Sequence, residues 1–470
     1  MLILFERIHI FLFMAKIIRI KKGLDINLEG KSQEQIKWTI SSPLYSIFPE
    51  DYPGFSSKLA VKAGDKVSAG DPILYDKNRP GIKVVSPVSG EVKAINRGEK
   101  RKLLSVSILP DEKKTYKDFG KKENLKSISP ETIQLILSEA GILTLIRQRP
   151  YDVIADPKDS PRDIFVPGFY SAPLAPDLDF VLKGQEIDFQ TGLDALSVLT
   201  EGKVYLGVRN TTKSSCLLQA KNVEIVTFEG PHPAGNASVQ INRIKPVNKG
   251  EVVWAVDPMV AVYIGRLFNK GIVDLTRLVA FTGSEANPDA RAYYPMLPGA
   301  SIERLVRSSV TECMDLRYIS GNVLTGTRIA PNGSLHANDN QVTVIPEGGE
   351  THEFAGWIMP RCNDFSVSKT YPAFILEKLF KKKYVLDARI KGGRRAMIMS
   401  NEWDKVFPMD ILPEFLIRAI IAFDIDKMEN LGIYEVSPED FALCEFVDTS
   451  KMELQKIVRA GLDLLYKEMM

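Results

Sequence analysis

The feature that most constrains the fold is a run of closely spaced turns in residues 58–108. Short segments rich in valine and isoleucine alternate there with turns that contain Gly64, Gly70, Gly81 and Gly90. Because turns this close together leave room only for short strands, the segment predicts a small all-β barrel or sandwich.

The overall composition is that of a folded, soluble protein. The chain has 470 residues, of which 44% are hydrophobic and 26% are charged. Its 61 Lys and Arg against 59 Asp and Glu leave a net charge of +2, which excludes a strongly basic nucleic-acid scaffold and an acidic disordered chain. At roughly 100–200 residues per domain, the length predicts about three domains.

The first thirteen residues, MLILFERIHIFLF, are apolar but interrupted by Glu6, Arg7 and His9. They are shorter than the roughly 20 apolar residues of a membrane helix, and they lack the features of a signal peptide. Met14 opens a segment typical of a protein start. We therefore interpret residues 1–13 as an over-extended start, with a short membrane-touching tail as the alternative.

The middle of the chain has an α/β pattern. Short β-rich runs at 163–166, 203–208 and 223–228 are separated by a predicted helix over 185–199, whose apolar positions are Ile187, Leu193, Leu196 and Leu199. This alternation predicts a Rossmann-like parallel sheet with helices on its faces. No GxGxxG sequence occurs in it, so dinucleotide binding loses its best physical support.

Other elements are marked by local signals. Ser129 is the predicted N-cap of a helix over 130–140, and residues 251–271 read as a strand that enters a helix near Pro258 and ends at Gly271. Residues 275–306 predict a small α+β unit. The C-terminal region is predicted to be helical at 414–423, 438–443 and 452–466.

Few cysteine or histidine residues are candidates for metal binding or catalysis. The four cysteines (Cys216, Cys313, Cys362 and Cys444) form no CxxC pair, which argues against thiolate metal sites and disulfides and favours a reducing, cytoplasmic setting. His336 and His352 are predicted to lie in polar loops, with no partner at metal-ligand spacing. His232, held between Pro231 and Pro233, suits a proton donor or a hydrogen bond to a quinone carbonyl, although a structural turn is the favoured interpretation.

Several enzyme classes lack their motifs. No GxSxG, HExxH or GxxxxGK[ST] occurs, so hydrolase, zincin and P-loop chemistry have no support. Residues 61–92 resemble the biotinyl/lipoyl-type barrel-sandwich module, with Lys77 at the predicted hairpin tip. The context of Lys77 differs from that of modified carrier lysines, and a scaffold role is favoured over a carrier role.

A series of short motifs together resembles one family. They are IKKGLDI at 20–26, AGDKV at 63–67, SPVSG at 86–90, RGEKR at 97–101, GPHPAG at 230–235, GS at 283–284, FPMD at 407–410 and FVDTSK at 446–451. In this order they resemble NqrA, which is the first of the six subunits of the bacterial Na+-translocating NADH:quinone oxidoreductase, over residues 14–470. The Rnf complex C subunit is also similar, but it carries cysteine-rich ferredoxin motifs that this chain lacks.

The resemblance implies a peripheral subunit on the cytoplasmic face of the bacterial inner membrane, in a complex with subunits B to F. That complex oxidises NADH, reduces ubiquinone or menaquinone and exports Na+. Its FAD, FMN, riboflavin and [2Fe–2S] groups belong to other subunits, so no prosthetic group or metal is expected on this chain. Membrane contact is expected through partners, and no nucleic acid is expected.

The resemblance also predicts the domain order. The predicted divisions are 14–115 (N-terminal strand and barrel-sandwich hybrid), 125–255 (Rossmann-like α/β domain), 256–335 (a β-grasp unit similar to the soluble-ligand-binding, or SLBB, module) and 336–470 (a region ending in helices). The middle domain resembles the complex I flavoprotein subunit without its phosphate loop.

The predicted quinone contacts are Trp38, Phe48, Tyr52 and His232, and no catalytic, cofactor-binding or metal-ligating residue is expected. For the three aromatic residues, capping of the barrel core is the favoured role. The rival hypotheses are a free-standing NAD(P)-dependent oxidoreductase, a carrier modified at Lys77 and an Rnf-type electron-transport subunit.

Overall fold

The computed structural model of the chain describes residues 17–122, 124–311, 315–349 and 364–469. The predictions that concern residues 1–13, His352, Cys313 and Cys362 lie outside the described residues.

The N-terminal part forms the small β module that the turns predict. After β1 (Ile17–Arg19), its strands are β2 (Tyr45–Ile47), β3 (Ser57–Leu59), β4 (Lys66–Val67), β5 (Pro72–Asp76), β6 (Lys83–Val85), β7 (Gly90–Arg97) and β8 (Leu103–Pro110). They form two antiparallel sheets, β2-β8-β7-β4 and β3-β5-β6. Ile73 and Leu74 from one sheet and Val92 and Ile108 from the other are fully buried, so the two sheets close on a shared core.

The middle part alternates strands and helices. Its elements are α1 (Pro130–Glu139), β9 (Arg147–Arg149), β10 (Val153–Ile154), β11 (Asp163–Pro167), α2 (Leu178–Val181), α3 (Glu186–Val198), β12 (Val204–Arg209), α4 (Ser215–Leu218), β13 (Glu224–Glu229), α5 (Ala237–Ile244), β14 (Val253–Ala255) and α6 (Pro258–Lys270). The predicted N-cap is confirmed, because Oγ of Ser129 accepts the Thr132 N–H at 3.3 Å. Gly271 ends α6 in the left-handed conformation, with φ of 74°, as the sequence predicts.

One seven-stranded sheet organises this part, in the order β1-β13-β12-β11-β14-β9-β10. The first five of these strands run parallel, and β9 is antiparallel to β14. The chain proceeds outward from β11 through β12 to β13 and then returns to place β14 on the other side of β11. This reversal creates a topological switch point, the place where open α/β sheets bind ligands outside the carboxyl ends of their strands.

Helices α3 and α6 pack closely on one face of the sheet. A Cβ at Gly192 would lie 1.9 Å from the carbonyl oxygen of Ala261, and a Cβ at Gly265 would lie 1.7 Å from that of Asp188. Only glycine fits backbones this close. The contact fixes α6, whose first turn borders the switch point.

The apolar positions that predict α3 are not all buried. Ile187 is 78% exposed, whereas Phe189, which the helical spacing left out, is 1% exposed and packs in the core with Leu193 and Leu196. Helical spacing identifies a stripe of positions but does not fix which edge of the stripe the neighbouring helix covers.

The next part is a five-stranded sheet with one short helix. Its elements are β15 (Arg277–Thr282), β16 (Tyr293–Met296), α7 (Glu303–Val306), β17 (Leu316–Ser320), β18 (Thr327–Ile329) and β19 (Gln341–Pro346). The strand order is β16-β15-β19-β17-β18, so the last strand in sequence occupies the centre.

The C-terminal part is helical, as predicted. Its helices are α8 (Ala373–Phe380), α9 (Trp403–Val406), α10 (Pro413–Ile421), α11 (Ile425–Asn430), α12 (Ala442–Val447) and α13 (Leu454–Met469). Trp403, Phe407 and Phe441 join Phe165 and Phe228 of the middle sheet in one hydrophobic cluster. Among the residues that the structure describes, no helix is long and apolar enough to cross a membrane.

Candidate functional site

A cavity of about 460 Å³ lies at the switch point. It opens between the carboxyl ends of β11 and β14, where Pro167 and Ala255 form part of the wall. The loop after β13, the first turn of α6, the segment before β19 and the start of the 438–441 helical turn complete it. We call this space the switch-point cavity.

His232 lies in the wall of this cavity and is 5% exposed. Its backbone N–H donates to Asp25 at 2.8 Å, and its Nδ1 lies 2.9 Å from Oγ of Ser171. Oγ of Ser171 also accepts the Gly235 N–H at 2.9 Å, so the serine hydrogen can be donated to Nδ1. Burial lowers the pKa of His232 to about 4. The imidazole is therefore neutral near pH 7, and in this arrangement its proton resides on Nε2.

Three arginines surround the cavity. Arg149 is 2% exposed, pairs with Asp152 and donates to Oγ of Ser238 at 3.0 Å. Arg277 is 5% exposed and donates to two backbone carbonyls of the segment before β19, at 2.8 and 3.0 Å. Arg147 donates to the carbonyl of Asp51 at 2.8 Å, and burial lowers its pKa. The cavity is thus lined by positive groups that are held in place by the protein.

Four lining residues each have a buried polar atom with no hydrogen-bond partner in the described part of the chain. These atoms are Nη1 of Arg147, Nε of Arg149, Oη of Tyr263 and Nε of Arg277. The Tyr263 hydroxyl and the Arg277 side chain lie close enough to interact with each other. A buried donor left without a partner costs about 1–3 kcal/mol. Each of these atoms has almost no accessible surface, so an occupant of the cavity would reach it only if the side chain moved.

Carboxyl groups balance these donors. Asp257 caps α6 and accepts the Tyr170 hydroxyl at 2.7 Å, while Asp339 accepts the Ser320 hydroxyl at 2.6 Å. Burial raises the pKa of both carboxyls. Glu439 also lines the cavity, and the protein around it and the charge of Asp440 raise its pKa. The raised pKa values favour the neutral, protonated form of these carboxyls.

The structure does not bring the four predicted quinone contacts into one slot. Only His232 lines the cavity. Phe48 and Tyr52 flank a helical turn that lies behind the cavity wall, and Tyr52 is 7% exposed. Trp38 lies elsewhere, 53% exposed, with its ring 5.1 Å from that of Tyr294 on β16.

His336 has a partner that is distant in the sequence. His336 is 8% exposed, its Nδ1 lies 2.6 Å from Oδ1 of Asp51, and the ring of Phe48 stacks on it at 4.5 Å. Burial lowers the pKa of His336, but the hydrogen bond and charge of Asp51 outweigh it and raise the pKa overall. The partner is 285 positions away in the sequence, so local spacing gave no sign of it.

The predicted carrier lysine sits on an anchored hairpin. Lys77 is exposed, but its neighbour Arg79 bonds Asp76 at 2.8 Å, Asp156 of the middle part at 3.1 Å and the Gly54 carbonyl at 3.0 Å. These bonds hold the tip against the middle sheet. The geometry favours the scaffold interpretation of the β module over the mobile arm of a carrier.

The arginines and carboxyls of the cavity were missed by the sequence analysis. A usable signal existed at residues 147–149, where two arginines two positions apart interrupt an otherwise apolar segment. In a strand such residues point to the same side. Arg277, at the start of an apolar strand, is a similar signal. Among the described residues, no cluster of His, Cys, Asp and Glu could hold a metal ion.

Models of known protein families match most of the chain. The NqrA N-terminal barrel-sandwich hybrid domain matches residues 18–111, the NqrA second alpha/beta domain matches 128–273, and the SLBB-type NQRA C-terminal domain matches 278–330. The predicted barrel-sandwich, α/β and SLBB-like parts are thereby confirmed.

Curated relatives agree over nearly the full length. The A subunit of the Na(+)-translocating NADH-quinone reductase of Histophilus somni is 36% identical over 96% of this chain and 100% of the relative. The proteins of the same name from Pasteurella multocida and Vibrio atlanticus are 34% identical with the same coverage. A NAD+-reducing [NiFe]-hydrogenase in the H2-reduced state is 13% identical over 75% of this chain and 66% of that chain, with a TM-score of 0.37, a likeness too small to bear on function. The predicted resemblance is confirmed, and the chain belongs to the NqrA family of the Na+-translocating NADH-quinone reductases.

Proposed function

We propose that this chain is a peripheral subunit of a Na+-translocating NADH-quinone reductase and that its switch-point cavity receives the quinone headgroup. The names of its relatives support the first part. The second part rests on one observation, the position of His232 in the wall of a cavity at the switch point of the sheet.

A quinone headgroup matches the chemistry of this cavity. Its carbonyl oxygens accept hydrogen bonds, and the Nε2–H of His232 can supply one. Its flat apolar ring suits the wall formed by Val256, Met259 and Val260.

The other predicted contacts take supporting roles in this proposal. The helical turn between Phe48 and Tyr52 is bonded to Arg147 and to His336, so it holds two sides of the cavity wall. We propose that these rings position the wall and do not stack on the quinone. Trp38 remains a prediction for a contact outside the cavity.

We propose that the C-terminal part docks on other subunits. Of the 21 large hydrophobic side chains that are exposed in the described part of the chain, 12 lie in residues 364–469. Leu412, Phe415, Ile421 and Phe423 form an exposed apolar surface on and beside α10, larger than a scatter of single residues requires. The occupant in this proposal is one of subunits B to F, at the cytoplasmic face of the bacterial inner membrane.

In this proposal the partner subunits supply the electron carriers. The NADH, FAD, FMN, riboflavin and [2Fe–2S] sites lie on them, and this chain binds a quinone without a resident prosthetic group. Absorbance spectra of the purified chain should show no flavin. Titration with NADH should give no micromolar binding; micromolar affinity would support the rival dehydrogenase hypothesis instead.

Two matched variants test the quinone site in the assembled complex. His232→Leu should raise the KM for ubiquinone-1 at least about fivefold with little change in kcat, because it removes a hydrogen bond of the bound quinone. Gln134→Leu replaces another buried polar side chain, which does not line the cavity, and should leave the KM unchanged. Equal KM values for the two variants would contradict the site.

A pair of charge insertions tests the docking surface. The double variant F415E/F423E should fold normally but lose co-purification with the other subunits, because it buries charge in the interface. Ile187→Glu, at an equally exposed apolar position on α3, should keep co-purification. Retention of all subunits by F415E/F423E would place the interface elsewhere.

A further inference from the structure

A second recess, of about 930 Å³, lies beside the switch-point cavity over the carboxyl ends of β11 and β12 and the loop after β13. Residues 168–176 border both spaces and separate them; we call them the partition loop. The volume of the recess is within the range of small-molecule sites. Nothing in the quinone proposal uses this recess.

Four cations line the recess, and none of them forms an ion pair within the described ranges. They are Lys31, Arg209, Lys381 and Lys383, and all four are exposed. Arg209 is the last residue of β12, Lys31 lies between β1 and β2, and Lys381 and Lys383 follow α8. Three separate parts of the chain thus bring free positive charge to one space, which we call the cationic crevice.

The carboxylates of the crevice are already occupied by neutral donors. Asp25 accepts the backbone N–H of His232, and Asp177 accepts that of Asp179 as the cap of α2. Asp179 accepts the backbone N–H of Lys213 at 2.8 Å, and Glu377 accepts the amide of Asn27 at 2.7 Å. These hydrogen bonds leave the carboxylate charges in place, so four cations and four carboxylates line the recess, and the cations form no ion pair within the described ranges.

Arg209 has an aromatic neighbour. Its guanidinium lies 5.1 Å from the ring centre of Phe169 in the partition loop, and Phe169 is 7% exposed. A guanidinium offers a fork of N–H donors to oxyanions, while lysines add point charge. A lysine at a helix C-terminus can also serve the helix dipole. That role accounts for Lys381 but not for Lys31 or Arg209.

We propose that the cationic crevice binds a soluble small molecule that carries phosphate groups. Side-chain cations would hold the phosphate here, in place of the backbone N–H groups that a glycine-rich loop supplies in dinucleotide sites. The proposal concerns a different recess from the quinone site and does not depend on it.

Inorganic pyrophosphate is the probe for this site. Titration of the full chain at constant ionic strength, followed by 31P NMR, should show saturable binding at one site. The double variant R209Q/K381Q should weaken binding at least about tenfold, because it removes two of the four charges and the guanidinium fork. The control R101Q/K93Q removes two exposed charges from the β module and should change the affinity by less than about twofold.

Three results would overturn the proposal. One is the absence of saturable pyrophosphate binding, and another is an equal loss in the two double variants. The third is co-flotation with phosphatidylglycerol vesicles without pyrophosphate binding, which would assign the cations to a membrane surface. Ubiquinone-1 binding by R209Q/K381Q should match that of the unmodified chain, so the two proposals succeed or fail separately.

Discussion

The switch-point cavity and the cationic crevice lie side by side at the carboxyl end of one sheet, yet their positively charged side chains differ in burial and in pairing. In the cavity, Arg149 and Arg277 are buried and held by a carboxylate or by backbone carbonyls. In the crevice, Arg209 and three lysines are exposed and form no ion pair within the described ranges. The carboxylates there accept hydrogen bonds from neutral groups such as the backbone N–H of Lys213. The topology of the sheet decides where ligands can bind, and the pairing of the side chains decides which class of ligand fits.

The comparison is sharpest for matched arginine truncations. Arg149→Ala should lower the free energy of unfolding by about 3–5 kcal/mol, because it leaves a largely buried carboxylate of Asp152 without its closest partner. Arg209→Ala, at an exposed position, should change it by less than about 0.5 kcal/mol. Urea denaturation measures both. Similar losses of unfolding free energy in the two variants would mean that the two arginines contribute alike to stability, which would contradict the comparison.

The buried histidine of the cavity should make stability depend on pH. Burial lowers the pKa of His232 from 6.5 to about 4, so the unfolded chain binds more protons between these values. Stability should therefore fall as the pH drops from about 6.5 to 4, by on the order of 3 kcal/mol from this residue. His232→Asn should lack this contribution in urea denaturation series from pH 8 to 4.

His336 serves as a control, because its contribution to stability should change with pH in the opposite direction. Its pKa is raised above 6.5 through Asp51, so its contribution to stability is present below pH 6.5 and is lost as the pH rises through the raised pKa. The loss caused by His336→Asn should therefore be larger at pH 5 than at pH 8. If His232→Asn and His336→Asn had the same pH dependence, the burial account of His232 would fail.

The smallest expected losses of stability come from removing one hydroxyl group on the cavity side and one on the crevice side. Ser171→Ala should cost about 1–2 kcal/mol, because the Gly235 N–H and Nδ1 of His232 lose their partner on the cavity side. Thr212→Ala removes a hydroxyl that donates to Asp179 on the crevice side, where water can replace it, and should cost less than about 0.5 kcal/mol. Thermal unfolding of the two variants would show the difference, and a reversed order would contradict it.

Much of the fold follows from local sequence. The cap at Ser129, the helix start at Pro258 and the helix end at Gly271 all depend on a few neighbouring residues, and all three are where the sequence predicts them. The turn-rich β module likewise needs no distant contact to be recognised. The exposure of Ile187 depends instead on tertiary packing, which selects between two edges of an amphipathic helix.

The site follows from the sequence only in part. His232 was found because two prolines mark it locally, and it does line the cavity. The bond between His336 and Asp51 and the convergence of Arg147 and Arg277 join parts of the chain that are far apart. Such contacts depend on how the sheets pack, which no local pattern encodes. The predicted domain boundaries remain predictions.

The central claim is that the switch-point cavity receives a quinone, and a steric block tests it most directly. Ala237 lines the cavity at the start of α5, so Ala237→Phe should fill the space that the headgroup needs. Calorimetric titration of the purified chain with ubiquinone-1 should show saturable binding that is lost in Ala237→Phe and retained in Ala94→Phe, a control on β7 of the β module. Unchanged affinity in Ala237→Phe, or no binding by the unmodified chain, would contradict the account.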